Sequence, residues 1–439
     1  MRWLRHLSLS IAPLSIACLL LAAAPRGAVA GEDWVRSWIA PLQAIPQQAS
    51  LGGEELPPFL QAPEIAGRTV RQIIYPTLGG AEIRLHISNR YSDAPLDILE
   101  TRIARASGAG AAAEDAGVAV TFSGSRVLHL PPGGEADSDP VGLVSKSGQP
   151  YATSLYLGPD QRLEAWHRVS SVTNYVSGPG NHAGDLAADA YQTQFMHYAW
   201  ITSLSVRQPA PATAILAIGD SITDGLRSTP DLSRGWPDGL MRRLAGDKGA
   251  PMAVLNAGIS GNRLLSDSPC FGEKLTTRFE REIAGAADIK AAIVLIGIND
   301  INFATWPTHA GLDCGTPHNA QITAADLIAG YRQLAEAAHH RQIRLIMGTL
   351  LPAALPAERE KIRLAVNQWI RSTGEIDGVI DFDAAMRDPA HPENLRAGFD
   401  SGDHLHPSDP GYAEMAQAIP LQLFATPQIA ATTTNLTTQ

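Results

Sequence analysis

Four short stretches of this chain carry residue types that together could split an ester. The first is Ala214 to Gly225, AILAIGDSITDG, where an apolar run ends on Gly219, Asp220 and Ser221. A serine hydroxyl is inert at its free pKa and becomes a nucleophile only beside a base. His406 is the candidate base, in the stretch DHLHPSDPGY (Asp403 to Tyr412). Asp403, three residues earlier, is spaced to reach the other ring nitrogen, fix its tautomer and stabilise the imidazolium. A tetrahedral intermediate also needs donors for its oxyanion. The backbone N–H groups of Ser221 and Gly261 and the side-chain amide of Asn299 are candidates, Gly261 from NAGISGN (Asn256 to Asn262) and Asn299 from GIND (Gly297 to Asp300).

Each of these residues also has a plainer reading. Asn299 could cap a helix, and Gly261 could serve only a tight turn. His404 reads as a loop residue that could also touch substrate. Arg263, beside the glycine loop, could hold substrate or a loop carbonyl. His309, Asp313, Cys314 and His318 crowd one loop, but their spacing matches no standard metal motif, so no metal and no cofactor is expected.

The chemistry needs elements that bring the four stretches together. Short apolar strands are expected at 215–218, 253–255, 292–296, 345–347 and 379–382, alternating with helices. Leu327, Ile328, Tyr331, Leu334 and Ala338 share one helical face, with Thr323 as N-cap. Such alternation builds a parallel sheet covered by helices on both faces. Ligands of such sheets gather beyond the carboxyl ends of the strands, where Ser221, Gly261 and Asn299 fall.

Before this region the pattern has period two. Ile83, Leu85 and Ile87 alternate with polar residues, and Gly79-Gly80 reads as a hairpin turn joining them to TVRQIIYPTL. Val118 to Phe122 and Ile201 to Arg207 repeat the pattern, with Pro/Gly clusters between. The expected organisation is a leader at 1–30 and an all-β, sandwich-like domain at 31–206. A proline-bearing linker at 207–213, an α/β domain at 214–425 and a Thr-rich, disordered tail at 426–439 follow.

The ordered blocks GDS, NAGISGN, GIND and DHLHPS resemble those of the SGNH (GDSL) hydrolase family, over roughly residues 212 to 425. The resemblance implies a flavodoxin-like parallel sheet, Ser221 as nucleophile and Asp403 and His406 as the rest of the triad. It likewise implies Ser221, Gly261 and Asn299 as the oxyanion hole. The upstream segment, including WHRVSSVTNYVSG (Trp166 to Gly178), resembles the β domain that precedes the catalytic domain in some secreted bacterial members. No GxSxG elbow is present, which separates the chain from the α/β-hydrolases.

Residues 1–30 read as a secretory signal peptide, with arginines at 2 and 5, an apolar middle and Ala28-Val29-Ala30 as the cleavage site. A secreted or periplasmic location is therefore expected. No later run is long enough for stable membrane insertion. The formal net charge is −10 at pH 7, and loss of the arginine-bearing leader makes the mature chain more acidic still. Nucleic acid is a poor partner for such a surface. In an oxidising compartment the two remaining cysteines, Cys270 and Cys314, are expected to form a disulfide. The expected function is a secreted serine esterase working through an acyl-enzyme on a small-molecule or polysaccharide ester, carbohydrate O-acetyl esters first. Lipid or short-chain acyl esters, acyl transfer by the same triad, and a non-enzymatic binding protein are the alternatives.

Overall fold

A computed structural model describes residues 34–46, 60–108, 110–209, 211–246, 249–303 and 322–425. The α/β part is built on five parallel strands in the order Met252–Gly258, Thr213–Gly219, Ile289–Leu295, Arg344–Gly348, Gly378–Ile380. This is the 2-1-3-4-5 order of flavodoxin-like sheets. Strand Thr213–Gly219 is buried from Ala214 to Gly219, because helices cover both faces of a parallel sheet and leave no wet side for polar residues. The chain leaves this strand in one direction and returns on its other side. The loop after it therefore opens between the loops that follow Met252–Gly258 and Ile289–Leu295.

Helix Ala324–His340 begins as the sequence predicts. The Thr323 hydroxyl accepts the Asp326 N–H, and the Asp326 carboxylate accepts the Thr323 N–H, a complete capping box. Leu327, Tyr331, Leu334 and Ala338 are buried on the sheet side, while Ile328 is half-buried at the edge of the stripe. The last strand is shorter than its apolar run suggests. Asp381 caps a new helix at Phe382–Met386, so Phe382 packs from a helix rather than a strand.

The preceding region is made of antiparallel sheets. One has four strands, Trp34–Ile39, Ile201–Arg207, Ile83–Ser88 and Glu135–Asp137 in spatial order. A larger, seven-stranded sheet holds Arg68–Ile74, Leu96–Arg105 and Tyr151–Leu157 among its strands. Ile83, Leu85 and Ile87 point inward and Arg84 and His86 are half-exposed, the alternation expected of a sheet wet on one side. The hairpin expected at Gly79-Gly80 does not form. Arg68–Ile74 and Ile83–Ser88 belong to different sheets, and Gly80 pairs with Ser145 across the gap. The two glycines are needed there for close approach, since a Cβ would lie 2.6 Å from the Ser145 oxygen at Gly79 and 2.7 Å from the Arg207 oxygen at Gly80.

The described residues fall within one compact unit. The β region covers the edge strand Met252–Gly258, where the Thr77 hydroxyl accepts the Val254 N–H at 3.1 Å. Arg36 binds Asp288 with its guanidinium at 2.9 and 3.0 Å and with its backbone N–H at 3.0 Å. An open sheet edge invites pairing with another chain, and here the β region blunts it. Among the described residues, no helix is long and apolar enough to cross a membrane.

Candidate active site

Ser221 opens a one-turn helix, Ser221–Asp224, directly after the first parallel strand. The turn is sharp because Gly219 has no side chain: a Cβ there would sit 2.0 Å from the Leu295 oxygen. Asp220 caps the turn by accepting the Ile222 N–H at 3.0 Å. Its carboxyl is raised to about 7, first by burial, with the carboxylates of Asp300 and Asp224 adding to the effect. The Ser221 hydroxyl lies 2.8 Å from His406 Nε2.

His406 comes from the loop before helix Asp409–Ala418, 185 residues away in sequence. Its Nδ1 lies 2.8 Å from Asp403 Oδ2, so the Nδ1–H tautomer donates to the carboxylate and leaves the Nε2 lone pair facing the serine. The other Asp403 oxygen accepts the N–H groups of His406 at 2.8 Å and Leu405 at 3.1 Å. Burial opposes ionisation of Asp403, but the bonds from the His406 ring and from these N–H groups outweigh it. They hold the carboxyl well below the usual carboxylate range. Arg227, on the exposed side, donates from Nε to Asp403 Oδ2 at 3.2 Å.

Gly261 follows the second strand with φ +83°, the left-handed region that favours glycine. Its Cα face lies against Phe271, which packs on Phe303 at 5.3 Å between ring centroids. Asn299 sits in the short helix Ile298–Asn302 and is buried. Its side chain does not cap that helix; Nδ2 donates to the Asn262 carbonyl at 3.0 Å, tying the third loop to the second. Among the described residues, the backbone N–H groups of Ser221 and Gly261 have no acceptor. Donors without an intramolecular acceptor are what a developing oxyanion requires.

The remaining predicted residues fall at the margins. His404, at φ +62°, is exposed and its Nδ1 is held by Asp400 at 2.7 Å. Arg263 is buried, with its guanidinium 4.5 Å from the centre of the Phe303 ring. Cys270 is fully buried in the loop that carries Phe271. Cys314, with His309, Asp313 and His318, lies outside the described residues, as do the leader and the tail.

Two supports were not foreseen. Arg278, buried on helix Leu275–Ile283, donates to the Gly219 and Ala257 carbonyls at 2.8 Å each and to Asn262 Oδ1 at 2.9 Å. It clamps the ends of two strands and the loop that carries Gly261, and burial lowers its pKa only to about 10, so it stays charged. The available signal was a lone arginine on the same face as Leu275, Phe279 and Ile283. Asp300 accepts the N–H groups of Leu264 at 2.8 Å and Leu265 at 3.0 Å, fixing the chain beyond Gly261.

The GDSL-like Lipase/Acylhydrolase family model matches residues 217–414. This part of the chain belongs to that family. The GDSL domain is thus a serine ester hydrolase domain, and Ser221, Gly261, Asn299, Asp403 and His406 all fall inside the match. Among solved structures, the chain is similar to a putative lipolytic protein of the G-D-S-L family from Desulfitobacterium hafniense DCB-2, with 19% identity, 47% of this chain and 97% of that chain covered, and a TM-score of 0.35. It is also similar to an acetyl xylan esterase from Geobacillus stearothermophilus, at 23% identity, 48% and 94% coverage and TM-score 0.36. A GDSL-like lipase from Bacteroides thetaiotaomicron VPI-5482 gives 17% identity, 48% and 88% coverage and TM-score 0.34. No curated protein matches.

Proposed function

We propose that the protein is an exported esterase in which Ser221 attacks the ester carbonyl and carries the acyl group as a covalent intermediate. The observation that carries this reading is the unbroken line Ser221 Oγ, His406 Nε2, His406 Nδ1, Asp403 Oδ2, with 2.8 Å at each hydrogen bond. In the first half-reaction His406 takes the serine proton as the Oγ–C bond forms, then gives it to the departing alcohol. In the second, water attacks the acyl-enzyme, His406 takes its proton, and the proton returns to Ser221 as the acid leaves. The N–H groups of Ser221 and Gly261 and the amide of Asn299 are the oxyanion donors.

Carbohydrate O-acetyl esters are the proposed substrate class. The described rim beside the triad is polar: Arg227 reaches Asp403 and the exposed His404 is held by Asp400. Such a rim suits a hydroxyl-rich alcohol better than a long acyl chain. A leader peptide, read from the sequence, would place the enzyme where polysaccharide is met.

The test has two arms. Ser221→Ala should abolish hydrolysis of aryl acetates, and a fluorophosphonate should label the wild type at Ser221 alone. Labelling at another serine, with activity retained in Ser221→Ala, would sink the mechanism. Acetate release from acetylated xylan, compared with rates on aryl esters of increasing acyl length, tests the substrate class. No acetate from the polysaccharide and a rate that climbs with chain length would overturn it.

A further inference from the structure

The WHRVSSVTNYVSG stretch lies in the β region, yet its second and third residues reach the candidate active site. The backbone of His167 is fixed within the β region by reciprocal hydrogen bonds with Tyr198, at 2.8 and 3.1 Å. Its Nε2 contacts Asp224 Oδ1 at 2.9 Å, both side chains being buried. Asp224 is the last residue of the one-turn helix that Ser221 opens. Its other oxygen accepts the Ser260 N–H at 3.0 Å and the Ser260 hydroxyl at 2.6 Å. One carboxylate therefore ties the nucleophile's helix to the residue just before Gly261, and the β region's imidazole holds that carboxylate.

Arg168 acts on the next peptide. Its Nη2 donates to the Ser260 carbonyl at 3.3 Å, and its guanidinium lies over the Phe271 ring, 5.3 Å from its centre. The Ser260 carbonyl and the Gly261 N–H belong to one planar peptide group, and in a trans peptide they point in opposite directions. Holding the oxygen on one side aims the N–H to the other. Gln43 of the β region adds a bond to the Cys270 carbonyl at 2.5 Å, next to the ring that Gly261 rests on.

We propose that His167 and Arg168 are positioning residues of the esterase, by which the β region sets the plane of the Ser260–Gly261 peptide and so aims an oxyanion donor. The inference rests on the reading of Gly261 N–H as that donor. It makes the β region part of the hydrolytic machinery as well as a cover for the sheet edge. Without His167, Asp224 Oδ1 loses the imidazole that fixes it, and the carboxylate holding Ser260 is free to turn. Without Arg168, the Ser260–Gly261 peptide can swing.

The test uses the full chain with an aryl acetate, and an alkyl boronic acid whose tetrahedral adduct carries an oxygen in the oxyanion position. Arg168→Ala should lower kcat by about tenfold or more, a fraction of the ~10²- to 10³-fold cost of losing a whole donor. KM should stay within about threefold, since the donor works mainly in the transition state. The boronate inhibition constant should rise in the same proportion as kcat falls, a change that loss of mere packing would not produce. His167→Gln, which keeps one donor for Asp224, should retain more kcat than His167→Ala and serves if either alanine variant fails to fold. Arg36→Ala breaks a different link between the two regions; it should lower thermal stability while kcat stays within about twofold. Wild-type kcat in Arg168→Ala, or an equal fall in Arg36→Ala, would overturn the inference. Either result with an inactive Ser221→Ala would leave the esterase reading standing, so the two can fail separately.

Discussion

Gly261→Ala tests whether the geometry of the second loop, rather than its mere presence, supports turnover. At φ +83° a Cβ at this position would lie 2.3 Å from Cδ1, 2.5 Å from Cγ and 2.8 Å from Cε1 of Phe271. Ordinary contact begins at 3.4 Å, so the ring or the peptide must move by about 1 Å. The ring is confined, because Phe303 packs on it and Arg168 lies over it. The peptide is the softer partner, and it carries the proposed donor. A misplacement of about 1 Å can cost roughly 10²-fold in rate, and that is the fall in kcat expected here. Stability should drop too, by about 2 to 5 kcal/mol from overpacking together with the left-handed backbone. The assay is kcat on an aryl acetate alongside a urea unfolding midpoint. Phe271→Ala removes the atoms that the new methyl meets, so in that background Gly261→Ala should lower kcat far less than in the wild type. A kcat within about threefold of wild type for Gly261→Ala would refute the placement of the donor.

Asn299→Ala should lower kcat by about 10²- to 10³-fold with a smaller change in KM, measured by steady-state kinetics; an unchanged kcat would confine Asn299 to tying the two loops together. Burial leads in raising Asp220 to about 7 and Asp238 and Asp300 to about 6, against an ordinary value of 3.8. Their contribution to stability is full below that ordinary value and is lost as pH rises through 6 to 7. His197, pushed down by burial to about 4, acts in the opposite sense only below its ordinary 6.5. The melting temperature should therefore rise as pH falls from about 8 to 6.5; a melting temperature that falls over that window would contradict the burial argument. A Cys270–Cys314 bridge is proposed to staple the loop after Gly261 to the segment after Asn299, so reduction should lower activity before it unfolds the domain. Thiol titration of unfolded, unreduced mature protein checks this, and two free thiols per chain would rule it out.

Local sequence was enough for the elements of the α/β part. The 3.6-residue spacing of Leu327, Tyr331, Leu334 and Ala338, the cap at Thr323 and the apolar strands are all near-neighbour patterns, and each survives in the fold. Ser221, Gly261 and Asn299 were legible for a related reason: they follow strands of one parallel sheet, and such a sheet gathers its strand ends on one edge. Periodicity could not say which strands pair. Ile83–Ser88 alternates as a hairpin strand would, yet it pairs with Ile201–Arg207 and Glu135–Asp137, because strand partners are chosen by which buried faces meet. The partners of Arg278, which reaches Gly219 across 59 residues, and of His167, which reaches Asp224 across 57, cannot be read in any local window. Their value comes from charged and polar groups closing on backbone ends that the tertiary fold alone brings together. Residue type and the succession of strands and helices thus made ester hydrolysis readable from the chain, whereas only the packed structure decided which buried side chains hold the Gly219 and Ser260 backbone in place.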